Sequence, residues 1–325
     1  MIRLHRAATP RWSRGAHFWS RHGVTVTLTV ILLTAGLVAQ RTERFDAAGM
    51  LRDLGLLAAD DMEGRRTGTP GAARARALLV ERFAGAGLEP VGGAFEHEFT
   101  VPRSSVPGVN VVGRIRGRVT PDRYIVVSAH YDHMGVSNGR VFNGANDNAS
   151  GAAALAAIAG HFVKARPATS LLFVAFDAEE AGLVGSRAFV RTPPVDRNTL
   201  AINLNLDMIG RDPDNILYVS GTSRQLALKP LIARAAAGAP VTLRMGYDDL
   251  AAGPGKDWTR DSDQWAFVEA GIPGLYFGVE DYRLHHHPDD DVESMTVEFY
   301  VAAVETIIRV IEVIDGSLDV IGVRP

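Results

Sequence analysis

The chain has 325 residues, 46% hydrophobic and 22% charged, an ordinary balance for a globular protein with a full core. A formal net charge of −3 offers no basic face and argues against nucleic acid as a partner. With no cysteine, disulfides, zinc–thiolate sites and cysteine nucleophiles are excluded together, so any metal must be held by histidine and carboxylate.

In chain order, the first forty residues differ from the rest. Arg3, Arg6, Arg11, Arg14 and Arg21 precede an uncharged run, "GVTVTLTVILLTAGLVA", from Gly23 to Ala39. A basic flank followed by an apolar run reads as an export signal whose N-terminus stays in the cytoplasm. The run, about 17 residues long, is at the short limit for a membrane span. Leu37 stands where a cleavage site wants a small residue, so an uncleaved anchor and a cleaved signal peptide both remain open. In either case the rest, expected as one catalytic domain over 45–325, is exported: membrane-anchored facing outside the cytoplasm, or periplasmic or secreted.

The next elements alternate. "RYIVVSAH" predicts a strand ending at His130, and "ASGAAALAAIAGHFVKA" a helix just after Asp147 and Asn148. "SLLFVAFDAEE" predicts a buried strand from Ser170 to Asp177, "LAINLNLDMIG" a third ending at Asp207, and "GLYFGV" a fourth behind the short helix of "SDQWAFVEAGIP". "VEFYVAAVETIIRVIEVI" is apolar at helical spacing. Continuous apolar strands separated by helices predict an α/β fold: a mostly parallel, mixed central sheet with helices on both faces. The chemically interesting residues all follow strands, and in open α/β sheets ligands sit beyond the carboxyl ends of the strands.

Each piece also has a plain reading when taken alone. His130 and Asp132 of "SAHYDH" project to one side of an extended chain, where Asp132 can accept a hydrogen bond from the second ring nitrogen of a ligand histidine; most such pairs are merely structural. Asp147 in "NGANDNASG" stands where a helix cap would. Glu179 and Glu180 form either an exposed acidic turn or a repelling pair that a divalent cation relieves, one binding and the other free to take a proton from water. Asp207 ends a strand too apolar for a casual carboxylate and needs a partner, a metal or a distant arginine. Taken jointly, Asp147, Glu180 and Asp207 with a bridging hydroxide make four negative charges, which two divalent cations balance. The second cation still needs a neutral ligand, a place for one of His285, His286 and His287.

With these residues in view, the chain resembles the di-zinc exopeptidases of clan MH, in the branch of bacterial leucyl aminopeptidases, aminopeptidase Y and glutaminyl cyclases. The match runs from "AADDMEGRRTGTPG" to "HHHPDDDVESM", with "AHYDH", "GANDNASG", "AFDAEEAGLVGS", "NLDMIGR" and "SDQWAFVEAGIP" between them in order. The resemblance implies a phosphorylase/hydrolase-like zinc exopeptidase fold and an aminopeptidase acting on peptide or protein N-termini. It implies two Zn2+ per chain: His130 and Asp207 on one, Glu180 and a late histidine on the other, and Asp147 bridging. Glu179 matches the general base and Asp132 the residue that orients a ligand, and a cis peptide is implied at Asp147–Asn148. The late ligand sits in a His-x-Pro-x-Asp pattern, which only His286 satisfies.

Two positions depart from the family pattern: His285 stands where tyrosine, a candidate oxyanion donor, is frequent, and Gln264 where histidine is common. Tyr282 is the available substitute donor. The loop from Gly246 to Asp263 reads first as a solvated connection and otherwise as the rim of a substrate pocket, with Trp258 an available apolar wall. The same scaffold carries glutaminyl cyclases and non-catalytic ectodomains, the latter expected to have lost ligands that are all present here. "GVSNG" matches the serine-hydrolase pattern G-x-S-x-G, but neither flank predicts the required strand and helix.

Overall fold

Where apolar residues run without alternation, both faces of a strand must be covered, and the computed structural model covers them. It describes residues 44–249, 251 and 255–321. The expected signal or anchor, 1–40, lies outside the described residues. Among those described, no helix is long and apolar enough to cross a membrane.

The strands are β1 (Glu89–Pro90), β2 (Glu96–Phe99), β3 (Gly108–Ile115), β4 (Thr120–His130), β5 (Gly135–Ser137), β6 (Arg140–Phe142), β7 (Thr169–Phe176), β8 (Leu200–Leu206), β9 (Ile216–Ser220), β10 (Thr242–Met245) and β11 (Gly274–Gly278). The helices are α1 (Ala47–Leu57), α2 (Pro70–Ala86), α3 (Ser150–Ala165), α4 (Val184–Arg191), α5 (Lys229–Ala236), α6 (Gln264–Glu269) and α7 (Val297–Asp315). Nine strands form one sheet in the order β1-β3-β7-β4-β8-β11-β9-β10, with β2 paired to β3. The central four, β7, β4, β8 and β11, are mutually parallel. They are flanked by antiparallel β3 on one side and β9 on the other, with β10 parallel to β9. The sheet is therefore mixed and mostly parallel at its centre.

Alternate residues of β7 feed two cores. Leu171, Phe173 and Ala175 pack under α1, α2, α3, α5 and α7. Leu172, Val174 and Phe176 pack under α4 and α6. Coverage of both faces explains why these strands read as unbroken apolar runs.

The order of connections creates the site. From β4 the chain crosses through α3 to β7 on one side, then through α4 to β8 on the other. The carboxyl end of β4 is thus a topological switch point, where a crevice opens between outgoing connections. Helix α3 begins directly against that edge. A Cβ on Gly151 would fall 2.5 Å from the Leu206 carbonyl oxygen, so only glycine lets the first turn approach β8 this closely. "GVSNG" falls in the β5–β6 hairpin, with an exposed Ser137, which disposes of the serine elbow.

Candidate metal centre

Four segments deliver side chains to the switch point. His130 is the last residue of β4, Asp207 directly follows β8, and Glu179 and Glu180 follow β7 by a short turn. Asp147 lies in the irregular turn before α3, and its peptide bond to Asn148 is cis. It is not the cap of that helix: Ala149 occupies the cap position, without a side-chain hydrogen bond. Ala178, Met208 and His286, beside or within the cluster, all have left-handed backbone (φ 57°, 56° and 53°). Such conformations are uncommon for residues with a Cβ and concentrate at functional sites.

The expected ligands His130, Asp147, Glu180 and Asp207 meet a fifth, His286, from the segment after β11. His130 Nε2 is 3.3 Å from Asp207 Oδ1 and 3.4 Å from Asp147 Oδ1. His286 Nε2 is 3.4 Å from Asp147 Oδ2 and 3.0 Å from Glu180 Oε2. Asp147 thus presents one oxygen to each group, and what faces Asp207 is a histidine rather than an arginine. Of the other late histidines, His285 Nε2 comes within 3.5 Å of Asp147 alone, and His287 turns away toward Asp289.

These spacings can be tested against a metal. Two atoms bound to one tetrahedral zinc at about 2.0–2.1 Å stand roughly 3.3 Å apart. Three of the four pairs above fall at 3.3–3.4 Å and the fourth at 3.0 Å. Asp147 Oδ2 is buried without a hydrogen-bond partner, a costly state for a carboxylate oxygen unless a cation offsets it. The ligand atoms are oxygen and imidazole nitrogen, a set that suits zinc. The residues fit the metal.

Asp132 differs from its expected arrangement. His130 Nδ1 lies 3.1 Å from the Asp132 backbone carbonyl but 3.7 Å from its carboxylate. The carbonyl therefore fixes the proton on Nδ1 and turns the Nε2 lone pair toward Asp147 and Asp207. The carboxylate instead accepts the backbone N–H groups of Glu179 (3.0 Å) and Glu180 (3.3 Å). A side chain after β4 thereby holds the turn after β7.

Other supports escape a local reading. Asp290, the last residue of the His-x-Pro-x-Asp pattern, is fully buried and accepts the N–H groups of Asn146 and Asp147, each at 3.0 Å, and Arg211 at 2.9 Å. Arg211 also pairs with Asp281. Asp290→Ala is expected to weaken metal binding about 10–100-fold, as loss of such outer partners does. Titration of zinc against a competing chelator checks this.

The carboxylates are electrostatically unequal. Burial drives Glu179 well above the ordinary carboxylate range, with Asp263, Asp207 and Glu180 adding and His130 opposing. Glu180 is also pushed up by burial, but hydrogen bonds to His133 and His286 outweigh this and hold it at about 2. Asp263, fully buried, is pushed up to about 7 by desolvation, with His130 and Ser186 opposing.

The cluster opens into a cleft of about 370 Å³ whose walls include Trp258, Tyr276, Met208 and Leu183, with Tyr282 and His285 also lining it. Trp258 stacks on Tyr247 at 3.8 Å between ring centres. Gln264 is not a cleft residue. It is buried, donating to the Trp258 carbonyl at 2.8 Å and accepting from Asn205, so it fastens this wall to β8. The Tyr282 hydroxyl donates to the Gly255 carbonyl at 3.3 Å.

A mixed α/β sheet with an imidazole–carboxylate cage at its switch point defines a metalloenzyme scaffold. More particularly, the chain belongs to peptidase family M28, whose sequence profile matches residues 110–311. A probable zinc metalloprotease of Pyrenophora teres f. teres is 32% identical over 196 residues, 54% of this chain and 40% of that protein. Aminopeptidase YwaD of Bacillus subtilis is 31% identical over 183 residues, 54% of this chain and 37% of that one. The chain thus spans about 40% of the length of these curated relatives. Among solved structures, Porphyromonas gingivalis glutaminyl cyclase superimposes with a TM-score of 0.68 at 20% identity, over 83% of this chain and 99% of that one. At that identity the likeness is one of fold.

Proposed function

We propose that the protein is a zinc-dependent aminopeptidase that hydrolyses N-terminal peptide bonds. The observation that carries the reading is Asp147, whose two oxygens face two separate imidazole–carboxylate groups at tetrahedral-edge spacing while Glu179 stands beside them. His130 and Asp207 would hold one zinc, Glu180 and His286 a second, and Asp147 both. Bound zinc supplies Lewis acidity, lowering the pKa of a water and polarising a carbonyl oxygen.

The chain's own part is positional and protonic. Glu179 lies close enough to His130 and Asp207 to share an ion but is not one of the proposed ligands, and its backbone is pinned by Asp132. Desolvation raises its proton affinity, which suits a group that takes a proton from the attacking water and returns it to the leaving nitrogen. Trp258, Tyr276 and Met208 offer an apolar wall to the first side chain of a substrate.

The test is a set of assays on zinc-loaded protein. Leucine anilide with a free amine should be cleaved, its N-acetylated form spared, and activity lost on chelation and restored by zinc. Conversion of N-terminal glutamine peptides to the cyclised product, without anilide cleavage, would replace the hydrolase reading by that of a cyclase.

A further inference from the structure

His133 is not one of the five proposed ligands, although Nδ1 lies close enough to Asp147 and Glu180 to share an ion with them, and it is as buried as His130, at 1% exposure. Its ring packs against Gly144, where a Cβ would come within 2.5 Å of Cδ2. Nδ1 stands 2.7 Å from Glu180 Oε1 and 3.7 Å from Asp147 Oδ2, and Nε2 is buried without a hydrogen-bond partner.

Two roles are conceivable, and distance separates them. As a co-ligand of Glu180 on one tetrahedral ion, Nδ1 should stand roughly 3.3 Å from the carboxylate oxygen. At 2.7 Å the contact is instead a short, charge-assisted hydrogen bond. The tautomer follows from the surroundings. A proton on Nε2 would be a buried donor with no acceptor, and the bare Nδ1 would then face two carboxylates. A proton on Nδ1 removes the repulsion and leaves at Nε2 an unpaired acceptor in place of an unpaired donor.

We propose that His133 is a positioning residue: its Nδ1–H occupies Oε1 of Glu180 and so commits Oε2 to the metal position shared with His286. The proposal rests on the peptidase reading. Each Glu180 oxygen then has one imidazole, at 2.7 Å on Oε1 and 3.0 Å on Oε2. Without His133, Glu180 is free to rotate or to bind through both oxygens, and only one of the two metal positions suffers.

The test is stepwise zinc titration of the full chain against a competing chelator, with cobalt(II) absorption as a second readout. His133→Asn keeps an N–H at the same branch position as Nδ1, whereas His133→Leu keeps bulk without a donor. His133→Ala repeats the loss of the donor in case leucine disturbs packing. Leucine and alanine should weaken one equivalent about 10–100-fold and leave the other as in wild type, while asparagine retains both within about threefold. Wild-type affinity for both equivalents in the leucine and alanine variants overturns the proposal, and so does asparagine behaving no better than leucine. Complete loss of one equivalent in the asparagine variant makes His133 a ligand and overturns it too. A wild-type chain that holds no zinc removes the peptidase reading itself, and this inference with it.

Discussion

Glu179→Gln is expected to lower turnover by about 10²–10⁴-fold or more, the usual contribution of a general base, while leaving zinc content unchanged. Glutamine matches glutamate in shape but cannot accept the proton, so the substitution isolates chemistry from packing. Zinc should stay because the proposed ligands are His130, Asp147, Glu180, Asp207 and His286. The buried Asp263 behind Glu179 makes the effect harder to evade. It adds to the forces that raise Glu179's proton affinity, and water has little room to replace a carboxylate in so desolvated a place. Steady-state kinetics with metal analysis on one preparation checks both halves. Full activity would transfer the base role elsewhere, and loss of zinc would make Glu179 a ligand.

Arg65→Met is expected to cost about 3–5 kcal/mol of stability and to weaken metal binding as well. The Arg65 side chain is completely buried. Its guanidinium donates to the carbonyls of Leu57, Tyr131, Asn143 and Gly144 at 2.5–3.0 Å. Two of those carbonyls belong to the turn leading to Asp147, and a third to the residue after His130. Methionine keeps much of the volume and none of the donors, removing a donor from four buried carbonyls, of which Gly144's keeps the Ala149 N–H. Burial lowers the guanidinium pKa to about 10, with Asp147, Asp290, Asp132 and Glu180 pulling it back up, so the charge also offsets part of the acidic cluster. Denaturant unfolding of wild type and variant, with and without zinc, measures the two effects separately. Unchanged stability would mean that water replaces the guanidinium.

What could be read from the amino-acid order follows a physical divide. The central strands were legible because two-sided burial demands unbroken apolar runs, and a polar residue at the end of such a run stands out. His130, Glu180 and Asp207 were visible for that reason. Among three histidines, only resemblance to the family's His-x-Pro-x-Asp pattern pointed to His286, and it alone reaches both Asp147 and Glu180. Strand β10 lacks that signature because a short edge strand is partly solvated, and β9, although buried between β11 and β10, is only five residues long and gives too brief a run. The hold of Asp132 on the backbone of Glu179 and Glu180 leaves no local trace, because those N–H groups lie 47 and 48 positions away in an irregular turn. His133 was in plain view within "AHYDH", and nothing local distinguishes it from a spare polar residue; only its contact with Glu180, 47 positions away, does so. Arg65 lies 79 positions from Gly144, and long-range contacts of this kind leave no periodic trace.

The span of the cage along the chain, from His130 to His286, carries a kinetic consequence. Its members become neighbours only after β4, α3, β7, β8 and β11 are assembled, so no nascent fragment can offer a finished binding pocket. Contacts this distant in sequence form late, once loop closure has been met by the surrounding core. Zinc should therefore brake the loss of the native state far more than it hastens its arrival. An emerging polypeptide would remain indifferent to the ion until the fold is nearly complete.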